Sequence, residues 1–419
     1  MNFKIETIGC QMNVNESDNI SQTLISLGAA QTDDINDADI VILNTCSVRA
    51  QAEQKAFSFL GRAQELKSQK KDIKIAVIGC MAQRLGLKIK NRFKSADLIV
   101  GTKDLDNAAQ KIAALFDKPL IRHCGQDRQS PAISSFVTIM RGCDNYCSYC
   151  IVPFVRGRQT SIDSQIIFDE CINKVKNGTK EISLLGQNVN SYLYNGLNFS
   201  GLLKQISQID GLERIRFMTN HPKDLSDELI DTAASLDKVC KHIHLPMQSA
   251  SNVVLDAMNR KYSYEHYLGL VQKLRNKISN ISITTDIIVG FPNEEQKDFE
   301  ETLEAVEYIR FDGLYAFRYS PRPQTKSALM PDAVPLEEKK RRHRIILSRS
   351  NEISSEIVSK MIGSKIEVLV ENYENGILHT RTQGGRKIFV EGKIEQVGKI
   401  LPVIVKKAKI NALFGDMEI

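Results

Sequence analysis

The sequence predicts an α/β protein in three successive parts: an open parallel α/β sheet, a partial (β/α)6 TIM-like barrel and a small antiparallel β-barrel. Apolar β-rich runs alternate with amphipathic helical segments over residues 1–120 and again over 129–358, the pattern of parallel sheets covered by helices. Over 361–419 the pattern changes to short strands punctuated by Gly376, Gly384, Gly385, Gly392 and Gly398. A length of 419 residues accommodates two to four domains at roughly 100–200 residues each.

Composition narrows the class. With 25% charged residues, 24 Gly and 11 Pro, the chain is neither disordered nor collagen-like. No apolar run approaches the ~18–20 residues of a membrane span, and Lys4 and Glu6 interrupt the first run, so neither membrane nor signal peptide is expected. The expectation is a cytoplasmic protein. Disulfides are disfavoured there, so the nine cysteines call for another explanation. The net charge of +6 falls mainly after residue 330, which permits a polyanionic partner without establishing one.

In the first part the strand-like runs are Phe3–Gly9, Asp39–Asn44, Lys74–Gly79 and Leu98–Val100. Three of them end at Gly9-Cys10, Thr45-Cys46 and Gly79-Cys80. Loops beyond the carboxyl ends of parallel strands line one crevice, which would bring Cys10, Cys46 and Cys80 together. On the residues alone, three small buried side chains at strand ends explain the pattern equally well.

A polar stretch from Pro119 to Pro131 marks a boundary. Strand-like runs then recur at Phe136–Met140, Glu181–Gly186, Arg214–Thr219, His242–Pro246, Ile283–Gly290 and Gly313–Ser320. Helical patterns such as Ser164–Asn177, Asp224–Leu236 and Glu294–Ile309 separate them, giving six βα units whose chemistry belongs at the strand C-terminal ends. A charged helix over Leu336–Lys360, containing Lys339–Arg342, reads as a connector with ordinary surface charge. The last part offers strands at Lys365–Glu371, Ile377–Thr382, Lys387–Glu391 and Leu401–Ala408, a shape often used to hold RNA.

The strongest local signal is Cys143-Asp144-Asn145-Tyr146-Cys147-Ser148-Tyr149-Cys150, a CxxxCxxC just after the first barrel strand. Thiolates ligate iron–sulfur clusters, and three local ligands would leave one iron of a four-iron cluster open. Zinc sites typically pair two short arms, and a second arm is missing nearby; a redox dithiol needs only two of the residues. Cys124, Cys171 and Cys240 lack comparable framing and read as structural.

With this motif at the head of six βα units, the region resembles the radical S-adenosylmethionine (SAM) enzymes. The resemblance implies a [4Fe–4S] cluster on Cys143, Cys147 and Cys150 whose open iron binds SAM, which is cleaved to a 5′-deoxyadenosyl radical. It places Tyr149 near the adenine. The segments Gly9-Cys10-Gln11-Met12-Asn13, Asn44-Thr45-Cys46-Ser47-Val48-Arg49 and Gly79-Cys80-Met81-Ala82-Gln83 are similar to the cysteine motifs of the methylthiotransferase N-terminal domain. They imply a second [4Fe–4S] cluster, through which sulfur is delivered. The C-terminal part looks like a TRAM domain, an RNA-binding module.

Gln11-Met12, the run Gly186–Tyr192 and Arg216-Phe217-Met218-Thr219-Asn220-His221-Pro222 resemble the MiaB type. That type methylthiolates C2 of N6-isopentenyladenosine at tRNA position 37, in the anticodon loop. The resemblance implies tRNA, an electron donor and a sulfur source as partners, and a monomer. It also implies cofactor contacts for Gln187, Asn188, Asp286 and Gly290, and for Arg318 a contact to cofactor or nucleotide phosphate; capping or barrel-layer roles remain open for each. His242 and His244 read as packing residues. Arg156 and Arg158, after the cluster loop, and Arg381 and Arg386, on the small barrel, suit RNA phosphates and base edges. Three departures from the family pattern stand out: Glu16 for Asp, Asn293 for Gly, and Thr380 for the Gly before Arg381. Two other readings stay open: the same chemistry on threonylcarbamoyl-adenosine, and a non-catalytic iron–sulfur RNA sensor.

Overall fold

The structure, a computed structural model, describes residues 1–48, 50–116 and 132–418. Arg49, Pro119, Cys124 and Pro131 lie outside the described residues. The chain forms two compact units. One holds residues 1–116, 141–144 and 150–160; the other holds 132–140, 145–149 and 161–418.

The first unit is built on a parallel sheet of β1 (Asn2–Ile8), β2 (Ala30–Gln31), β3 (Ile40–Thr45), β4 (Lys74–Gly79) and β5 (Leu98–Gly101), in the order β2-β1-β3-β4-β5. Ile40-Val41-Ile42-Leu43 is fully buried because both faces are covered, as a central parallel strand requires. Val41, Leu43, Ile75 and Val77 pack on Phe59, Leu60 and Ala63 of the helix Ala50–Gln69. Ile40, Ile42, Ala76 and Ile78 meet Ile20 and Leu24 of the helix Gln11–Ser26 on the other face. The short edge strand β2 has only two residues and leaves no readable pattern.

The second unit contains six parallel barrel strands, β6 (Ser134–Thr138), β7 (Glu181–Leu185), β8 (Arg214–Phe217), β9 (His242–His244), β10 (Ser282–Val289) and β11 (Gly313–Arg318). They form two three-stranded sheets, β8-β7-β6 and β9-β10-β11. A parallel bridge from Ile215 to Val239 joins them, with Cys240 donating to the Ile215 carbonyl at 2.8 Å. The expected partial (β/α)6 barrel is therefore present, with strand ends within a few residues of expectation.

The same unit ends in a closed barrel of β12 (Lys365–Glu374), β13 (Ile377–Thr382), β14 (Lys387–Glu391), β15 (Ile400–Lys409) and β16 (Ala412–Met417). Val368, Ile388, Val390, Val403, Val405 and Leu413 form its core. The sequence predicts four antiparallel strands; the fifth, β16, pairs antiparallel with β15 but parallel with β14, and that pairing closes the ring. Thr380, where the family has Gly, fits β13 by donating Oγ1 to the Ile388 carbonyl at 2.8 Å.

The β13–β14 turn docks on the N-terminal ends of the barrel strands. Arg216 donates to the carbonyls of Thr382 and Gln383 and pairs with Glu181, and Arg214 donates to the Arg381 carbonyl. Arg386 of the turn pairs with Asp312 at 3.1 Å, just before β11. No helix among the described residues is long and apolar enough to cross a membrane.

Candidate active site

Cys10, Cys46 and Cys80 follow β1, β3 and β4, which are neighbours in the sheet; Ile8, Thr45 and Gly79 stand in register across them. Each cysteine sits where a strand turns into a loop or helix: Cys10 caps the helix Gln11–Ser26 and Cys80 opens the helix Cys80–Leu85. The turn into Cys80 requires Gly79: its φ is +93°, and a Cβ there would lie 2.5 Å from Asn44 Oδ1. Asn13 and Asn44 lock the loops together, with Asn13 Nδ2 donating to Asn44 Oδ1 at 2.9 Å and Asn44 Nδ2 donating to the Asn13 carbonyl at 2.9 Å.

The three are free thiols, Cys46 and Cys80 buried and Cys10 exposed. The Cys46 thiol donates to Cys10, which brings the Cys10 thiol down to about 6 with help from Arg156, and drives Cys46 upward. Burial pushes Cys80 up to about 11. Among the described residues no group of three His, Cys, Asp or Glu closes on a point that a single ion would occupy. Thiols spread over three neighbouring strand ends suit a polynuclear cluster, whose ligands sit on different irons, so this donor set fits a [4Fe–4S] group.

The loop from Gly142 to Cys150 carries the second cysteine set. Cys143 is buried, and its backbone amide donates to the Gly157 carbonyl at 3.3 Å. Cys147 and Cys150 are partly exposed. On the barrel side of this loop, buried Arg260 donates Nη1 to Cys147 Sγ and to the Tyr149 hydroxyl, both at 3.4 Å, and Nη2 to the Pro246 carbonyl at 2.9 Å. Tyr149 stands edge-on to Phe291, with ring centroids 6.5 Å apart.

Around the C-terminal ends of β7, β8 and β9, the buried acceptors Asn188 Oδ1, Asn220 Oδ1 and Gln248 Oε1 have no hydrogen-bond partner among the described residues, and neither does His221 Nε2, which carries the ring proton because Nδ1 accepts from the Lys223 amide at 3.3 Å. The amide donors of the two asparagines are engaged: Asn188 Nδ2 donates to Asp224 at 2.7 Å and Asn220 Nδ2 to the His244 carbonyl at 3.0 Å. Each buried acceptor left bare costs about 1–3 kcal/mol, a strain that a polar ligand rich in N–H and O–H groups would relieve. The amine, ribose hydroxyls and adenine amine of SAM are such donors, so the chamber fits that cofactor. Burial, with Arg260 nearby, holds His221 down to about 2, and burial holds His242 down to about 3, so both rings are neutral acceptors or donors at physiological pH.

The sequence-expected cofactor residues are distributed as follows. Gln187 is half-buried beside Asn188. Asp286 lies 3.5 Å from His244, and Gly290, at φ +70°, donates to Glu294 at 2.5 Å. Arg318, at the end of β11, lines an open cavity of about 410 Å³ with Glu337, Lys340, His343 and Arg344. His242 and His244 are both buried and share the Thr284 hydroxyl at 3.0 Å. Cys171 and Cys240 sit in or beside the barrel core, each pushed up to about 12 by burial.

The expected RNA contacts need correction. Arg156 is buried in a two-pronged pair with Glu16, Arg381 is engaged with Glu371 at 2.7 Å, and Arg386 with Asp312. Of the four arginines only Arg158 presents an exposed guanidinium, 3.5 Å from Asp144. Sequence reasoning assigned no site role to Arg260, Asn220, Gln248 or Glu16, whose partners lie remote in the chain.

Family models match the chain as "Uncharacterized protein family UPF0004" over residues 2–101, the radical SAM superfamily over 137–306 and the TRAM domain over 359–417. A tRNA-2-methylthio-N(6)-dimethylallyladenosine synthase of Endomicrobium trichonymphae is 60% identical over 417 residues, covering 100% of both chains. One of Clostridium novyi is 43% identical, covering 99% of this chain and 96% of its own. Among solved structures, the radical S-adenosylmethionine methyltransferase TsrM from Kitasatospora setae, with cobalamin and a [4Fe–4S] cluster bound, shares the fold: TM-score 0.59 at 14% identity, covering 78% of this chain and 74% of that one. Identity that runs end to end through all three matched regions means that the chain belongs to the family of the tRNA-2-methylthio-N(6)-dimethylallyladenosine synthases.

Proposed function

We propose that this chain is a radical SAM methylthiotransferase that converts N6-(dimethylallyl)adenosine at tRNA position 37, in the anticodon loop, to its 2-methylthio derivative. The observation that carries the reading is the pairing, in one chain of this family, of the thiol triad Cys10, Cys46 and Cys80 with a CxxxCxxC loop beside a chamber of unpartnered acceptors. When bound, two [4Fe–4S] clusters and SAM supply the radical hydrogen abstraction, the sulfur and the methyl group that an unactivated adenine C2–H bond demands.

The chain's own residues bind and orient. Cys143, Cys147 and Cys150 hold one cluster, and Cys10, Cys46 and Cys80 the other. Arg260 fixes Cys147 and Tyr149 with a permanent charge. Asn188, Asn220 and Gln248 would offer acceptors to the cofactor and His221 Nε2 a donor, with Asp286 on β10 and Gly290 just after it as further candidate contacts. Neutral His221 and His242 keep additional positive charge out of the barrel. Arg318 with Lys340 and Arg344, together with exposed Arg158, suits RNA phosphates, and the C-terminal barrel is the RNA-binding module. The reaction calls on an electron donor and a sulfur source.

Replacing Cys143 with Ala in cells and analysing tRNA nucleosides by mass spectrometry tests the reading. The 2-methylthio-isopentenyl nucleoside disappears and its unthiolated precursor accumulates. Persistence of the modification sinks the assignment, and loss of the methylthio-threonylcarbamoyl nucleoside instead moves the substrate to that base.

A further inference from the structure

The side chain of Arg156 is only 5% exposed and that of its partner Glu16 7%, with Nη1–Oε1 at 2.6 Å and Nη2–Oε2 at 3.2 Å. Two of five guanidinium donors are used in this pair. Ile151 and Val155, on the turn of chain that carries Arg156, pack directly on Cys80, Glu16 lies on the helix that Cys10 caps, and the Arg156 charge acts on the Cys80 thiol. The same charge also acts on Cys10. A buried ion pair is weak evidence for stability, since apolar replacements of similar volume are often as stable, so a buried arginine beside three thiols calls for another task.

We propose that Arg156 is the counter-cation of the cluster held by Cys10, Cys46 and Cys80, stabilising its one-electron-reduced form, with Glu16 trimming the effect. The proposal rests on the cluster reading given under the proposed function. Reduction adds one electron, taken from the external donor, and therefore one negative charge; no bond is made or broken. The guanidinium stays protonated throughout. A fixed positive charge in a poorly solvated site lowers the energy of the more negative state and so raises the midpoint potential. Helix Val152–Arg156 begins two residues after Cys150, so one short segment supplies a ligand to one cluster and the charge that tunes the other.

The test uses full-length protein carrying C143A, C147A and C150A, so that one cluster remains, reconstituted anaerobically and followed by EPR-monitored redox titration and iron content. R156Q is expected to shift the midpoint downward, R156K to shift it less, and E16Q to shift it upward. A loaded R156Q cluster with an unchanged potential, or R156Q and E16Q moving it in the same direction, overturns the proposal. If R156Q fails to retain iron while R156K retains it, both melting like the parent, the charge requirement stands; equal loss in both overturns it. Absence of about four irons from the parent chain overturns the cluster reading and this proposal together, whereas a loaded but indifferent cluster overturns the proposal alone.

Discussion

Gln248 holds a left-handed backbone at φ 70°, unusual for a residue with a side chain, and carries a buried, unpartnered oxygen just beyond β9. Strain and an orphaned acceptor at one position mark a residue kept for its ligand rather than for the fold. Gln248→Met removes the bare acceptor at similar volume; the ligand-free protein is expected to gain about 1–2 kcal/mol in denaturant unfolding while SAM binding weakens about tenfold by calorimetry. His242 makes a second prediction. Burial depresses its pKa from 6.5 to about 3, so between those values the unfolded chain takes up a proton that the folded chain refuses. Its contribution is complete above pH 6.5 and is lost as pH falls toward 3, on the order of a few kcal/mol, and His221 acts in the same sense. Thermal melts between pH 7 and 4 are expected to show a shallower decline for H242Q than for the parent. The CxxxCxxC loop stands out in the sequence because its spacing is local and chemically distinctive, and Cys10, Cys46 and Cys80 because each follows a strand-like run. Arg260 was not, because its partner Cys147 lies 113 residues away and an arginine after a helix looks like surface charge.

At the scale of elements, strands buried on both faces announce themselves as continuous apolar runs, and β3 and β4 were readable for that reason, whereas β1 and β11 are only partly buried and were readable from β-rich runs alternating with helical segments. β16 was not: Gly415 and Asp416 interrupt its alternation, and its closing bond is a parallel pairing across the barrel that no local pattern encodes. The basic residues of the C-terminal barrel misled for a related reason. Arg381 and Arg386 have the composition of an RNA surface, yet their carboxylate partners come from Glu371 and Asp312. The buried clasp of Arg216 and Glu181, 3.0 Å apart, fastens the same turn. Arg216→Ala leaves Glu181 uncompensated and is expected to cost about 3–5 kcal/mol in chemical denaturation, whereas R216M with E181M recovers most of it. Equal losses in the single and double variants would show that packing, not charge, fastens the turn.

Over the whole molecule, the order of parts and the substrate class were legible because three motif sets lie on one chain, each with its own pattern. The placement of exposed basic side chains was not, because exposure is a property of the folded surface. Arg318, Lys340 and Arg344 come from a strand end and a helix and meet only in three dimensions. R318E with R344E is expected to weaken tRNA binding at least tenfold and to lower the slope of log affinity against log salt by about 1–2, without changing SAM binding. Filter binding over a salt series checks this. The central barrel is two three-stranded leaves that meet at the Ile215–Val239 bridge, and the β13–β14 turn grips both: Thr382 and Gln383 on Arg216 of one leaf, Arg386 on Asp312 beside the other. The C-terminal barrel is thus a rivet across the seam between the two leaves, one turn holding both.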